Sequence, residues 1–421
     1  MDISKIIKNK RTKILIVGGT YDMDGGRPSG LIEKIINRFK MNATDYNAEI
    51  FDFNGGNYND LNKIQENFLP YMDIVLWWAN VPNDLPKLRD VKAINYKVIS
   101  VISKRNDNNK YTFQDILQRT LEQKGNLCVI FEKQKEDEFN FSLIDPLGNI
   151  YYSGTHVDPF VTGILRRGIF LSSISRAKTI NAGDKDSLKW YYDLLNRGSI
   201  YDKEMHHVWI AGDSVLLKDK EEKEAFLNIV KEYAEILTKT IFNVKEQLEI
   251  KRFLGNASFR CNKGFPSFRE GDYIFVSRRN VDKTHISINE FVPTYLKDNE
   301  VYYLGENKPS VDTPVQLRLY NKLPNIKYML HSHVYIKDAP TINSLLPCGA
   351  LEEADEILNY IKTTSEGFNI SHLAINLKGH GCLIMSNDVE YFNIIKDRIV
   401  ARPKPEKQYY TFEDEVKRGN V

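Results

Sequence analysis

Five short, largely apolar runs punctuate the first third of the chain, at 13–19, 48–53, 73–78, 96–102 and 126–131. Runs of this length without polar alternation fit strands buried on both faces, and such strands belong to parallel sheets covered by helices. The intervening stretches supply those helices. Leu31 to Phe39 has helical spacing, Tyr58 to Phe68 is helix-like, and Thr112 to Gln123 opens on a threonine suited to an N-cap. Strand alternating with helix over this length predicts a doubly wound, Rossmann-like α/β domain.

Ligands of such sheets bind beyond the carboxyl ends of the strands. Those ends carry Gly18-Gly19-Thr20-Tyr21-Asp22, then Asp24 to Gly30, Asp52 to Gly56, and Trp77 to Asn80. Arg27-Pro28-Ser29-Gly30 runs directly into a helix start, where free backbone N–H groups favour anions. Gly18, Gly19, Thr20, Arg27, Ser29 and Gly30 are therefore candidates for a nucleotide or phosphosugar pocket. The spacing is neither G-x-G-x-x-G nor a P-loop, so tight strand-to-helix turns explain the glycines equally well. The Gly-Gly-Thr strand end is similar to nucleotide-using domains of the phosphopantothenate–cysteine ligase and nucleoside deoxyribosyltransferase types. That similarity spans only a few residues and assigns no activity.

Further along, Phe139 to Tyr152 reads as a hairpin turning at Pro146 to Asn149, and Phe160 to Ile174 as an apolar helix bearing Arg166 and Arg167. Leu188 to Leu195 and Lys220 to Val244 are helical in pattern. The mixed charges of Lys218 to Glu224 mark a border, giving a Rossmann-like domain with a helical extension over 1–217 and a second α/β domain over 218–421.

The chemistry is concentrated in the second domain. A strand-like run, Ile326 to Leu330, delivers His331-Ser332-His333. On a strand, residues two apart project from the same face, so both imidazoles can grip one ion. His380 follows within Gly379-His380-Gly381, where the small neighbours permit close approach. Three imidazoles with an open fourth position are the ligand set of a catalytic zinc site, whereas structural sites are closed and usually rich in thiolate. Zn2+ is expected, with Mn2+, Co2+ or Fe2+ as alternatives. The adjacent His206 and His207 point apart on any regular element and read as non-ligands.

From about Phe226 onward the chain resembles the class II aldolase/adducin family. The resemblance rests on Gly255-Asn256-Ala257-Ser258-Phe259-Arg260, on the strand Tyr273 to Val276 entering the turn Ser277-Arg278-Arg279-Asn280, on Lys308-Pro309-Ser310-Val311-Asp312, and on the three histidines. It implies a metal-binding α/β fold. It places the proton-transferring carboxylate at Asp312, which stands 19 residues before His331. It also implies that Asn256, Ser258, Ser277 and Ser310 line the substrate's anionic end, and that C-terminal tyrosines, here Tyr409 or Tyr410, complete the site. Two departures stand out. The family usually has glutamate where this chain has Asp312, and Thr-Pro-Ser-Gly where it has Ser277-Arg278-Arg279-Asn280. Arg278 and Arg279 can bind phosphate or carboxylate bidentately, or can lie exposed. Asp312 also suits the N-cap of a helix over Thr313 to Leu323.

Bulk properties bear on partners. With 58 basic and 56 acidic residues the net charge is +2, which offers no argument for nucleic acid or membrane. Cys128, Cys261, Cys348 and Cys382 are scattered, as expected of reduced thiols in the cytoplasm. The expected function is a metal-dependent, aldolase-type lyase acting on a small anionic sugar or sugar phosphate through an enediolate. A decarboxylase, dehydratase or epimerase would use the same chemistry. A nucleotide- or nucleoside-processing activity in the first domain and a non-catalytic adducin-like binding module are the other readings. A homo-oligomer, with a tetramer favoured, follows from the resemblance.

Overall fold

The computed structural model describes residues 11–80, 97–104, 127–135, 138–145, 147–176, 179–183, 224–238, 253–260, 274–297, 300–305, 307–365 and 367–402. Contacts divide the chain after Arg176, well before the border expected at 217/218. The helix expected over 112–123, that over 188–195, and His206, His207, Tyr409 and Tyr410 lie outside the described residues.

In the first unit the apolar runs become parallel strands. β1 (Thr12–Asp22) pairs with β2 (Ala48–Asn57) on one side and β3 (Ile74–Trp77) on the other, followed by β4 (Lys97–Lys104) and β5 (Leu127–Lys135). The hairpin β6 (Glu138–Ile144) and β7 (Ile150–Gly154) adds an antiparallel edge. The order β2-β1-β3-β4-β5-β6-β7 opens with the 2-1-3-4-5 arrangement of flavodoxin-like sheets, whose switch point lies between β1 and β3. Helices α1 (Gly30–Asn42), α2 (Tyr58–Asn67) and α3 (Val157–Arg176) belong to this unit. α1 buries Ile32, Ile35, Ile36 and Phe39, the face its spacing predicts.

The second unit is built on an eight-stranded sheet. Its order is β15 (His372–Leu377), β16 (Gly381–Ser386), β13 (Tyr328–Ser332), β9 (Asn256–Arg260), β10 (Ile274–Ser277), β11 (Phe291–Lys297), β12 (Glu300–Leu304) and β8 (Thr179–Gly183). All neighbours are antiparallel except β12 and β8. β8 falls before the sequence-based border yet pairs with β12 of this sheet. Described helices of the unit include α4 (Ala234–Thr238), α5 (Thr313–Lys322), α6 (Leu351–Thr364) and α7 (Glu390–Lys396), and the short strands β14 (Tyr335–Ile336) and β17 (Ile399–Val400) pair with each other. Phe226, Tyr233, Phe259, Phe275, Tyr328 and Phe392 anchor its core. The sheet sets the site's geometry, because β13 lies between β9 and β16 and so brings Asn256, His331 and the start of β16 side by side.

Candidate metal centre

His331 is the fourth residue of β13, paired with Asn256 on β9 and Leu383 on β16. His333 lies just past the strand's end, and His380 precedes β16. Two glycines make this convergence possible. A Cβ on Gly381 would stand 2.0 Å from the Ser332 carbonyl oxygen, so only glycine lets β16 begin against the His-Ser-His segment. Gly255 has φ +70°, and a Cβ there would meet the Leu237 and His331 carbonyl oxygens at 2.4 and 2.7 Å. The ring centroids lie 5.2 Å (His331 to His333), 4.5 Å (His331 to His380) and 5.4 Å (His333 to His380) apart.

All three rings are buried. His331 Nδ1 donates to the Cys382 carbonyl at 2.9 Å and His380 Nδ1 to Glu353 Oε1 at 2.8 Å. With Nδ1 carrying the proton in each, both Nε2 atoms present lone pairs. Those two atoms and His333 Nδ1 are buried without a hydrogen-bond partner. An unmet buried polar atom costs about 1–3 kcal/mol, and one ring nitrogen from each histidine lies within 4.8 Å of the others, so a single shared partner would suit them. The chemistry of the donors, neutral nitrogen with a carboxylate behind one ring, fits a divalent cation. Burial pushes His331 down to about 4 and His333 well below the ordinary imidazole value, which keeps both available as neutral ligands. Burial also opposes a charge on His380, but Glu353 outweighs it and raises that ring.

Asp312 stands at the start of α5, yet its side chain makes no capping hydrogen bond. The carboxylate turns toward the histidines instead. Oδ2 lies 3.8 Å from His331 Nε2 and accepts from Asn256 Nδ2 at 2.9 Å, while Oδ1 accepts from the Cys348 thiol at 3.0 Å. Asn256 Nδ2 also reaches Ser310 Oγ at 3.0 Å, and Gln316 Nε2 donates to Asn256 Oδ1. Burial alone would raise the Asp312 carboxyl. His331, His380, the Cys348 hydrogen bond and Arg279 together hold it below the ordinary carboxylate value.

The other expected substrate residues divide. Ser258 is enclosed and shares a hydrogen bond with the Tyr320 hydroxyl at 3.1 Å, and the Ser277 hydroxyl accepts from the Ala257 amide at 3.1 Å. Arg278 faces Glu290 at 3.8 Å. Arg279 is exposed, its Nε donates to the Pro309 carbonyl at 2.9 Å, and its charge reaches Asp312. In the first unit, Gly18, Gly19 and Thr20 lie in the C-terminal part of β1, Arg27 and Ser29 lie between β1 and α1, and Gly30 opens α1. Gly18 and Gly19 serve close packing, whereas Gly30 has open space beside it. A Cβ on Gly18 would meet the Ile32 side chain at 2.4 Å, and one on Gly19 the Gly55 amide nitrogen and Arg27 carbonyl at 2.6 and 2.8 Å. Ser29 caps α1, with Oγ accepting from the Ile32 amide, and Thr20 N donates to the Arg27 carbonyl at 2.8 Å.

Three residues of the site escaped the sequence reading. Glu353 lies on the buried face of α6 with Ala354, Ile357, Leu358 and Ile361; a glutamate at apolar helical spacing was the available clue. Cys348 is brought to Asp312 by a loop in which Gly349 has φ +83° and packs on the Val311 carbonyl. Lys283 is buried and donates to the Leu254 carbonyl at 3.1 Å, bracing the turn before Asn256; burial pushes its ammonium down to about 8.

Fold and site together define an α/β domain in which three buried histidines, with a carboxylate beside them, could hold a cation. Residues 246–391 match the Class II Aldolase and Adducin N-terminal domain family, and the C-terminal half of the chain has a class II aldolase-like fold. No family match covers the N-terminal half. Among solved structures the chain is similar to the YgbL protein of Klebsiella pneumoniae, at 13% identity over 42% of this chain and 84% of that one, with a TM-score of 0.30. It is also similar to an L-fuculose 1-phosphate aldolase (18% identity, 41% and 80% covered, TM-score 0.28). A DNA/pantothenate metabolism flavoprotein from Streptococcus pneumoniae matches at 11% identity, with 38% and 97% covered and a TM-score of 0.28. No curated protein matches the chain.

Proposed function

We propose that the chain is a metal-dependent lyase of the aldolase type, acting on a small anionic sugar or sugar phosphate. The observation that carries this reading is the convergence of three buried, unpartnered imidazole nitrogens beside Asp312. His331, His333 and His380 would hold the ion, with Zn2+ favoured by the all-imidazole set. Once bound, the ion would supply positive charge to stabilise an enediolate.

The remaining steps belong to the chain's own residues. Asp312 takes or returns the proton at Oδ2, which faces the histidines. Asn256 fixes that oxygen by donating to it, and Gln316 in turn fixes Asn256. Arg279 stands exposed within reach of the carboxylate's field and is placed to attract an anionic group. Glu353 holds the His380 ring in the orientation that presents Nε2.

The test is a carbonyl-product assay over a panel of sugar phosphates with zinc-loaded protein. Turnover of at least one member, lost on chelation and restored by refilling, is expected. Metal-loaded protein that releases no carbonyl product from any member contradicts the lyase reading and leaves the same-fold decarboxylase, dehydratase and epimerase chemistries to be assayed.

A further inference from the structure

Cys348 is the other donor at this centre. Its Sγ, an Asp312 carboxylate oxygen and a His380 ring nitrogen all lie within 4.8 Å of one another. His380 is therefore a shared corner of two donor groups, the three histidines and the Asp312–Cys348 pair. Its Nδ1 is engaged by Glu353, and its Nε2 is buried without a hydrogen-bond partner. Cys348 is partly exposed and is not in a disulfide. Its thiol already donates to Asp312 Oδ1 at 3.0 Å.

We propose that Cys348 is a reserve ligand that closes the metal centre and switches it off. This rests on the trihistidine reading above. Three imidazoles leave one position open on a four-coordinate ion. A thiolate is a soft, strong donor for zinc and cobalt, and a thiol that coordinates gives up its proton. The acceptor for that proton is already in place. On closing, the S–H bond breaks, the proton passes by way of Asp312 Oδ1 to solvent, sulfur donates its electron pair to the ion, and the water held there leaves. Nothing is oxidised or reduced, and water with return of the proton reverses the change. The closed state disables the site because the open position is filled. An anionic substrate that displaces the thiolate would reopen that position.

Cobalt gives a readout independent of turnover. Full-length protein is stripped with chelator and refilled with Co2+, and its visible and near-ultraviolet spectra are compared with those of Cys348→Ser. Both should bind one equivalent, and only the wild type should show an intense near-ultraviolet sulfur-to-cobalt band. In parallel, iodoacetamide labelling of Cys348, resolved by peptide mass, should be lost in the refilled wild type and present in the stripped protein. That arm decides the matter should the serine variant not fold. Cobalt bound without the band, or with labelling of Cys348 unchanged, overturns the thiolate ligand and leaves the trihistidine centre standing. No cobalt bound to wild type overturns both.

Discussion

Asp312 shows how one side chain is taken from a structural task for a chemical one. Asp-Thr-Pro-Val is a good helix start, and α5 does begin there, but the carboxylate leaves the cap unmade and spends its oxygens on Asn256 and Cys348. Asp312→Asn should therefore keep the metal and lower turnover by roughly 100-fold or more, the usual share of a proton-transferring group; normal turnover would reduce the residue to a helix start. Glu353→Gln should weaken metal affinity by roughly 10–100-fold while leaving the fold intact, read by competition with a chelating dye. The histidines also give a pH dependence to the metal-free chain. His331 is held at about 4 and His333 lower than usual, so on acidification below about 6.5 the unfolded chain binds protons that the folded one refuses. Stability accordingly falls as pH falls, by roughly 2 kcal/mol from His331 alone between about pH 7 and about pH 5. The raised Glu353 carboxyl opposes this in part, and the raised His380 contributes stability that is lost only as pH rises above its ordinary value. Urea midpoints of chelator-treated protein at the two pH values check the sign; equal midpoints would contradict it.

At the scale of elements, register is what assembles the centre. β16 must lie close enough to the end of β13 for His380 to meet His331 and His333, and Gly381 is what allows it. Gly381→Ala pushes a methyl carbon to 2.0 Å from a backbone oxygen that cannot swing aside. Overpacking of that kind costs about 1–3 kcal/mol, and metal affinity should fall with it; denaturant unfolding and metal titration together read both effects. The elements legible in the sequence were those with a local period. The buried parallel strands announced themselves as apolar runs, and His331, Ser332 and His333 as a strand end. The strand order, the entry of β8 into the second sheet, and the pairings of Glu353 with His380 and Cys348 with Asp312 were not legible, because each arises from tertiary approach between segments far apart in sequence. The glycines beside His380 imply close approach, and at Gly381 the group that approaches is backbone.

At the scale of the molecule, two expectations follow. β8 pairs with β12, so limited proteolysis should yield a stable C-terminal fragment that retains 179–183; a stable fragment beginning near 218 would favour the border read from the charge run. We also propose a homo-oligomer, with a tetramer favoured, on the resemblance to the class II aldolase/adducin family, with the exposed Arg279 beside Asp312 as a point where a neighbouring subunit could close over the site. Light scattering that shows a monomer with full metal and activity would end that proposal. Everything said of function depends on the ion, and its stoichiometry is the most direct test. Protein stripped with chelator, refilled with zinc, desalted and submitted to elemental analysis should carry one zinc per chain, and the variant His331→Ala/His333→Ala/His380→Ala should carry none. A wild-type chain that takes up no metal, or a triple variant that takes up as much as wild type, would contradict the account.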